Sequence, residues 1–211
     1  MSEHLEALPE DKRQKILQAS LGEFAEHGYI NASTNRIVKA AGISKGLLFH
    51  YFGSKKKLFL YVLDHTIHHL MGKMNRYSAA LTGDLFETMG QYALIKMQIG
   101  IEEPQMYHIL YDVYVNLPVE IKEELMERYG QILSDQRKSF IMTMDPSRLR
   151  EGVTAETAAN LITDFLDGYY QRSIDQYKAM TPDELLASMD DMKEEIMGYL
   201  YIIKRGIYKD E

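Results

Sequence analysis

The chain has 211 residues and a formal net charge of −7, with 45% hydrophobic and 26% charged residues, which are ordinary values for a soluble globular protein. It contains no cysteine, which excludes disulfides, thiolate metal sites and a cysteine nucleophile. The longest stretches without a charged residue have nine residues, far short of the roughly 20 apolar residues of a transmembrane helix. We therefore expect a cytoplasmic protein of one large or two small domains, with no membrane partner and no signal peptide.

The sequence pattern predicts an all-α protein, because no run of alternating Val, Ile or Thr favours a sheet. The first helix, over 10–27, carries an apolar stripe and ends at Gly28, where we expect a left-handed cap. Two short helices follow, and either Ser33 or Thr34 can cap the first of them, while Ser44 and Ser54 cap the next two helices. The helices after the first are predicted over 34–41, 45–52, 54–80, 84–99, 104–116, 118–144, 155–177 and 183–207.

Two short helices joined by a turn that contains Gly42 have the layout of a helix-turn-helix. In the second short helix Leu48 and Phe52 lie four residues apart and face inward together. The other face has a composition that suits the major groove of DNA better than bulk water. Its residues are Lys45, Gly46, Leu47, Phe49 and His50.

Several of these residues have a defined use against DNA. Gly46 allows close approach of a backbone. Leu47 can touch a thymine methyl group, and His50 can donate to a base edge or a phosphate. The hydroxyls of Thr34 and Ser44, together with the amides of the first helical turns, suit phosphate oxygens.

The net charge is divided unequally along the chain. Residues 12–57 carry nine Lys or Arg and two acids, a net charge of +7, whereas residues 58–211 carry 15 basic and 25 acidic residues, a net charge of −10. This asymmetry is typical of a DNA-contacting segment joined to an acidic body. Lys55, at the start of the long fourth helix, is placed to clamp the DNA backbone. A solvated basic face is the alternative interpretation.

The segment Ser33–Lys55 closely resembles the DNA-binding domain of the tetracycline-repressor (TetR) family, and the resemblance extends from Ile16 to Leu58, about a fifth of the chain. It implies a three-helix helix-turn-helix DNA-binding domain over 1–53 and a helical ligand-binding and dimerisation domain over 54–211. It also implies a homodimeric regulator, usually a repressor, that a small-molecule effector releases from a double-stranded DNA operator. The DNA contacts that carry over are Thr34, Ser44, Lys45, Gly46, Leu47, Phe49, His50, Tyr51 and Lys55.

Two positions depart from the commonest pattern of that family. Position 47 more often holds a small or polar residue, and position 49 more often holds Tyr. Phe49 offers no hydroxyl to a phosphate. Leu47 shifts recognition toward apolar contact, and we take as a hypothesis that its base pair is T·A or A·T.

The last two predicted helices carry apolar stripes that could form a dimer seam. In the last helix, apolar residues from Leu185 to Ile203 follow a heptad-like spacing of 4, 3, 4, 3 and 4. Such stripes are also common in the core of a single chain, but the resemblance places the dimer's four-helix bundle here. The predicted interface residues are Ala158, Leu161, Ile162, Phe165, Leu166, Met189, Met192, Ile196, Tyr199 and Ile203.

The segment after residue 57 holds 13 of the 15 Tyr and 12 of the 13 Met. Ligand pockets are apolar and aromatic with a few polar groups, and Met packs adaptably, so we expect an effector pocket here. Asp112 or Asp167 would serve a cationic effector as counter-ion, and plain core packing is the alternative for each residue. The predicted lining is Tyr92, Met97, Met106, Tyr107, Tyr111, Tyr114, Phe140, Phe165 and Tyr169.

Catalytic and metal sites find little support in the sequence. His65 and His69 have the i, i+4 spacing of two ligands, with His68 beside them, but no Glu-x-x-His motif occurs. The nucleophile elbow and the glycine-rich phosphate loops are absent too. We predict no enzyme activity, no cofactor and no metal, and a pH-sensing His cluster is an open alternative. Two rival functions are a helical ligand- or metal-binding bundle with an incidental basic segment, and a DNA-binding protein without an effector.

Overall fold

A computed structural model describes residues 8–81, 85–116, 118–142, 144–178, 180, 184 and 187–209. Within the helices it leaves undescribed the side chains of residues 111, 114, 115, 120, 132, 133, 135–137, 139, 140, 171, 174–178 and 189.

The described residues confirm the predicted all-α fold, with no strand beyond an isolated bridge between Leu149 and Tyr208. A single 3-10 turn spans Pro146–Arg148. The helices are α1 (Glu10–Asn31), α2 (Thr34–Ala41), α3 (Lys45–Phe52), α4 (Lys55–Ser78), α5 (Leu85–Glu102), α6 (Pro104–Asn116), α7 (Val119–Met142), α8 (Ala155–Lys178) and α9 (Met189–Ile207). None of these described helices is both long enough and apolar enough to cross a bilayer.

The first helix continues past its predicted end. Gly28 has φ +64° and ψ 174°, a combination open to glycine but costly for other residues, and a last helical turn follows as far as Asn31. The positive φ that the sequence predicts at Gly28 is therefore confirmed, but the residue kinks α1 instead of ending it. The apolar stripe predicted on α1, from Ile16 to Phe24, is buried.

The turn between α2 and α3 is a Schellman motif built on Gly42. Gly42 is left-handed, with φ +66° and ψ 34°, and its amide donates to the carbonyl of Lys39 at 3.3 Å. The amide of Ile43 donates to the carbonyl of Val38 at 3.1 Å, which completes the motif. This turn fixes the direction in which the chain leaves α2.

Serine side chains cap α3 and α4 as predicted. Ser44 Oγ accepts from the Leu47 amide at 3.1 Å, and Ser54 Oγ accepts from the Lys57 amide at 3.1 Å. Ser33 stands at the N-cap position of α2, but its side chain makes no capping hydrogen bond.

The later helices differ from the predicted ranges by a few residues. The fifth helix runs to Glu102, three residues further than predicted. It can continue this far because the helix-breaking residue is Pro104, which disfavours a helical conformation only at Glu103 directly before it. The seventh helix ends at Met142 instead of residue 144. The predicted start of the last helix, residue 183, lies outside the described residues, which place α9 over Met189–Ile207.

The chain divides into two compact units. The first comprises Met1–Lys73 and Glu102–Met126, and the second comprises Met74–Ile101 and Glu127–Glu211. The helix-turn-helix and α6 therefore belong to the same unit. The functional boundary predicted at residue 53 stays a prediction.

Each unit has its own buried side chains. In the first unit the ring of Phe59 packs edge-on against Phe24, with centroids 5.0 Å apart. In the second unit Phe86, Ile162, Ile196 and Leu200 belong to one hydrophobic cluster.

The end of α9 is tied down within the second unit. The Arg150 side chain donates to the carbonyl of Tyr208 at 2.8 Å, and the Arg150 amide donates to the carbonyl of Ile207 at 2.9 Å. A cation at the carboxyl end of a helix satisfies free carbonyls and complements the helix dipole.

Candidate nucleic-acid interface

The third helix presents two different faces. Leu48 and Phe52 are buried, with 1% and 3% of their surface exposed, which confirms the predicted inward pair. Along the rest of the helix, Lys45, Gly46 and His50 are exposed, and Leu47, Phe49 and Tyr51 are half-buried. The outward face is thus the predicted one, and it is held outward because Leu48 and Phe52 are fixed in the core.

Two polar side chains on this face, those of Lys45 and His50, contact aromatic rings. The Lys45 ammonium lies 5.9 Å from the centroid of the Phe49 ring, within the range of a cation–π contact. The rings of His50 and Tyr51 meet edge to face at 5.1 Å. At the other predicted phosphate contacts, Ser44 is exposed and Thr34 is half-buried.

Gly46 has no role in packing that the described residues reveal. A Cβ atom built at this position would come no closer than 4.0 Å to any other group, and that group is Ser44 Oγ. A helical glycine costs stability relative to alanine, roughly 0.5–1 kcal/mol. Its presence on an exposed face is therefore unexplained by the fold, and it suits a surface that another backbone approaches closely.

Half of the six positive charges between residues 29 and 57 are engaged inside the protein. Arg36 pairs with Glu23 at 2.6 Å, and Lys56 pairs with Glu124 at 3.0 Å. Lys55 donates to main-chain carbonyls. The other three are exposed and form no ion pair with the described residues: Lys39, Lys45 and Lys57.

The carboxylate of Glu23 joins α1 to the start of α2. It is buried, and it accepts from the Ser33 amide at 2.6 Å and from two nitrogens of the Arg36 guanidinium at 2.6–2.9 Å. Burial raises the pKa of Glu23, but hydrogen bonds from Arg36 and the Ser33 amide outweigh it, so the net pKa is lowered. The amide of Ser33, the N-cap residue of α2, thus has a charged side chain as its hydrogen-bond partner.

Lys55 points into the protein rather than freely into solvent. Its ammonium donates to the carbonyls of Ile30 at 2.9 Å and Ala32 at 2.8 Å, and it lies 5.0 Å from the ring centroid of Tyr29. Burial lowers the pKa of Lys55. Two of its three donors are used internally, so the predicted phosphate clamp has one donor left and stays a prediction.

The predicted effector residues are distributed over both units. In the second unit Met97, Phe165 and Tyr169 belong to one hydrophobic cluster, and Tyr92 is exposed. In the first unit Met106 is buried, and Tyr107 is half-buried. The side chains of Tyr111, Tyr114 and Phe140 lie outside the described residues.

The two candidate counter-ions have different surroundings. Asp112 accepts from the Tyr29 amide at 3.3 Å and from the Asn116 side chain at 2.9 Å, so its carboxylate is already engaged within the first unit. Asp167 is exposed.

Most of the predicted dimer seam is packed within the chain itself. Ala158, Ile162, Met192 and Ile196 are buried in the hydrophobic cluster of the second unit. Phe165, Leu166 and Ile203 pack partly against the same cluster, and the side chain of Met189 is outside the described residues. Leu161 and Tyr199 are exposed, at 49% and 42%.

A second stripe on α9, of which the sequence pattern predicts only Tyr199, is open to solvent. Gly198, Tyr199, Ile202 and Gly206 are all exposed, Ile202 at 67%, and at 100° per residue they share one sector of about 100°. The Tyr199 ring lies 5.3 Å from that of Phe165 on α8, so the stripe adjoins the half-buried edge of the predicted seam. Met192 and Ile196 of the heptad pattern lie on the core face, Tyr199 of the same pattern lies on the open face, and the further signal for the open face is the pair of glycines.

The side chains of His68 and His69, two of the predicted histidine group, form hydrogen bonds within the first unit. His69 Nε2 lies 2.9 Å from Glu103 Oε1, which Lys73 also contacts at 2.6 Å, and His68 Nδ1 lies 2.7 Å from the carbonyl of Asp64. Burial lowers the pKa of His65, and the neighbouring His69 lowers it further. Among the described residues no three His, Asp or Glu side chains converge as a metal site would require.

Comparison with known proteins agrees with this geometry. A family model for bacterial regulatory proteins of the tetR family matches residues 16–62. The transcriptional repressor AcnR of Corynebacterium efficiens is 28% identical over 78% of this chain and 82% of AcnR. The nucleoid occlusion factor SlmA of Actinobacillus pleuropneumoniae is 24% identical over 78% of this chain and 81% of SlmA. The crystal structure of a TetR family transcriptional regulator from Chloroflexus aurantiacus matches with a TM-score of 0.73, at 26% identity, over 99% of both chains.

Replacement of the Glu23 carboxylate tests the link between α1 and α2. We expect Glu23→Gln to lower the free energy of unfolding by about 1–3 kcal/mol at pH 7, because it leaves Arg36 and the Ser33 amide without a charged partner. Since the folded-state pKa of Glu23 is lowered, its contribution is complete above the ordinary pKa of about 4.3 and disappears as the pH falls through the folded value. Urea unfolding at pH 7 and below pH 4 measures both effects.

Glu26→Gln is the matched control, because Glu26 lies one turn away on the same helix and is 77% exposed. We expect it to change stability by less than about 0.5 kcal/mol. Equal losses for the two variants, or a Glu23→Gln loss that persists unchanged below pH 4, would contradict the described role of Glu23.

Proposed function

Because the chain belongs to the tetR family of bacterial regulatory proteins, we infer that this transcriptional regulator is a repressor that reads an operator with the outward face of α3. The observation that carries the inference is the orientation of α3. Leu48 and Phe52 anchor it in the core, and the residues that remain outside are those that suit a DNA groove.

Affinity and sequence preference come from different residues of the helix-turn-helix. Lys45, Ser44 and Thr34 suit phosphates, which supply affinity for any sequence. Leu47 and His50 suit base edges, which supply preference. The proposed contacts are Thr34, Ser44, Lys45, Gly46, Leu47, Phe49, His50 and Tyr51.

Selection of bound DNA from a pool of genomic fragments tests the function directly. The full-length protein should enrich a small number of fragments that share a short palindromic sequence. A helical ligand- or metal-binding bundle with an incidental basic segment should enrich no shared sequence, and that result would favour this second candidate.

We infer further that the regulator works as a homodimer through α8 and α9. A single helix-turn-helix reads few base pairs, and two copies place their recognition helices about one helical turn of DNA apart. The open stripe of Tyr199 and Ile202 supports a partner here, since large exposed apolar side chains cluster at contact surfaces. Gly198 and Gly206 on the same stripe let a second helix approach closely. A Cβ atom at either glycine would meet nothing within 4 Å in the chain itself.

We also propose that a small-molecule effector releases the protein from DNA. The support is the concentration of aromatic and Met side chains after residue 57, together with the hydrogen bond that the hydroxyl of the largely buried Tyr169 donates to Glu195 at 2.8 Å. A DNA-binding protein without an effector is the alternative.

Gly46→Ala separates the needs of the fold from the needs of the operator. We expect the variant to be more stable by about 0.5–1 kcal/mol, because alanine is the better helix former and the site is open. Operator affinity should fall at least roughly tenfold, because the added methyl group stands where the DNA approaches. Thermal unfolding and fluorescence anisotropy with labelled operator measure the two effects.

Ala40→Gly, at an exposed position of α2 outside the proposed contacts, is the control for helix propensity. It should lower stability and leave operator affinity within about twofold. Unchanged operator affinity in Gly46→Ala would show that α3 does not lie against the DNA.

Ile202→Glu tests the proposed dimer surface. Because Ile202 is exposed in the single chain, the variant should fold normally, yet sediment as a monomer at micromolar concentration, since a buried unpaired charge is costly. Tyr201→Glu is the matched control. Tyr201 is 58% exposed, but it lies outside the stripe, and this variant should stay dimeric. A monomeric wild type, or a dimeric Ile202→Glu, would disprove the interface.

An effector screen tests the release mechanism. Compounds that raise the melting temperature and lower operator affinity are candidates, since an effector binds the folded protein. For such a compound, Tyr92→Ala should reduce affinity about tenfold and leave operator binding unchanged. Tyr77→Ala, at a similarly exposed tyrosine outside the predicted lining, should change neither. Equal effects of the two variants would exclude Tyr92 from the effector site.

A further inference from the structure

We propose that Lys55 and Asp112 are positioning residues for DNA binding, which act by holding the main chain from the kink in α1 to the start of α2. We call residues 28–33 the α1–α2 junction. This inference rests on the proposed DNA-binding function and assigns Lys55 a role other than the phosphate contact that its sequence position suggests.

The junction needs partners from outside itself. Gly28 has non-helical dihedral angles inside α1, and α2 begins only at Thr34, so main-chain amides and carbonyls between these points require other partners. Within the junction, the Ala32 amide donates to the Gly28 carbonyl at 3.1 Å. Charged side chains complete the arrangement.

Asp112, on α6, contacts the first part of the junction. Its Oδ2 accepts from the Tyr29 amide at 3.3 Å, a contact between residues 83 positions apart in the sequence. A Cβ atom at Gly28 would lie only 2.8 Å from the same oxygen. The carboxylate therefore lies directly against the main chain at the kink, where a side chain in place of glycine would displace it and would be strained by the positive φ.

Lys55, at the start of α4, contacts the second part. Its ammonium donates to the carbonyls of Ile30 and Ala32 at 2.9 and 2.8 Å and packs over the Tyr29 ring. Glu23 of α1 then accepts from the Ser33 amide at the end of the junction. Anionic side chains thus bind amides and a cation binds carbonyls, each in the pairing that its charge favours.

The junction leads directly into the DNA-reading helices. Ser33 is the N-cap residue of α2, and the Schellman turn at Gly42 passes from α2 to α3. Since binding residues must be held to within about 0.5 Å of their productive place, a loosened junction should cost affinity through the loss of position.

If Lys55 and Asp112 affected DNA binding only through their charges, their removal would have different effects from those that positioning predicts. A phosphate contact by Lys55 predicts that its removal flattens the salt dependence of binding by about 0.9 in log–log slope. Loss of a negative charge at Asp112 predicts equal or tighter binding to DNA. Positioning predicts weaker binding in both cases, with an unchanged slope.

The experiment uses full-length Lys55→Met, Asp112→Ala and Asp112→Asn, with Lys45→Met as the phosphate control. Operator affinity is measured over a range of salt concentrations, at a temperature where circular dichroism shows each variant folded. We expect Lys55→Met and Asp112→Ala each to bind roughly tenfold more weakly with the slope of the wild type. Lys45→Met should lower the slope by about 0.9.

Asp112→Asn distinguishes the hydrogen bond to the Tyr29 amide from the negative charge of Asp112. Asparagine keeps an oxygen that can accept from the Tyr29 amide, so operator affinity should return to within about threefold of the wild type. If Lys55→Met does not fold, the two Asp112 variants decide the matter, because Asp112 is only half-buried and asparagine has the same shape.

Three results would overturn the inference. The first is a salt-dependence slope reduced by about 0.9 in Lys55→Met. The second is an operator affinity of Asp112→Ala equal to or higher than that of the wild type, and the third is an operator affinity of Asp112→Asn as low as that of Asp112→Ala. A wild type that binds no genomic fragment would instead overturn the proposed function itself, so the two failures are distinguishable.

Discussion

The kink at Gly28 sets a constraint on which the placement of the helix-turn-helix depends. It leaves a short stretch of main chain between α1 and α2 whose polar groups find partners on three different helices. Glu23 and Asp112 bind its amides, and Lys55 binds its carbonyls. Because a buried main-chain group without a partner is costly, these contacts restrict where α2 can begin. The helices that follow are therefore placed by charged groups as well as by the hydrophobic core.

This arrangement changes the meaning of the positive charge in the N-terminal segment. The sequence suggests six cations available to DNA between residues 29 and 57, but Arg36, Lys55 and Lys56 have partners inside the protein. The cations that face solvent without an ion pair in the described part of the chain are Lys39, Lys45 and Lys57. A protein that neutralises few phosphates gains less from general attraction to DNA, so more of its specific affinity must come from the fit of α3 in the groove.

Local chemistry made much of the fold predictable. Gly42, Ser44 and Pro104 act on their immediate neighbours, and the helix ends that they set agree closely with the predicted ones. The partners of Glu23, Lys55 and Asp112 could not be predicted, because those contacts join residues 10 to 83 positions apart and leave no periodic signal. Periodicity also could not separate core from interface on α9. Met192 and Ile196 of the heptad-like stripe are buried within the chain, whereas the open stripe beside them mixes glycine with large side chains.

Hydroxyl-radical footprinting of a selected genomic site tests the central claim most directly, namely that two copies of α3 read DNA from one face. We expect two protected blocks on the same face of the duplex, with centres about 34–36 Å apart, or one helical turn. A single protected block, or uniform protection along the whole fragment, would contradict reading of the DNA by two copies of α3.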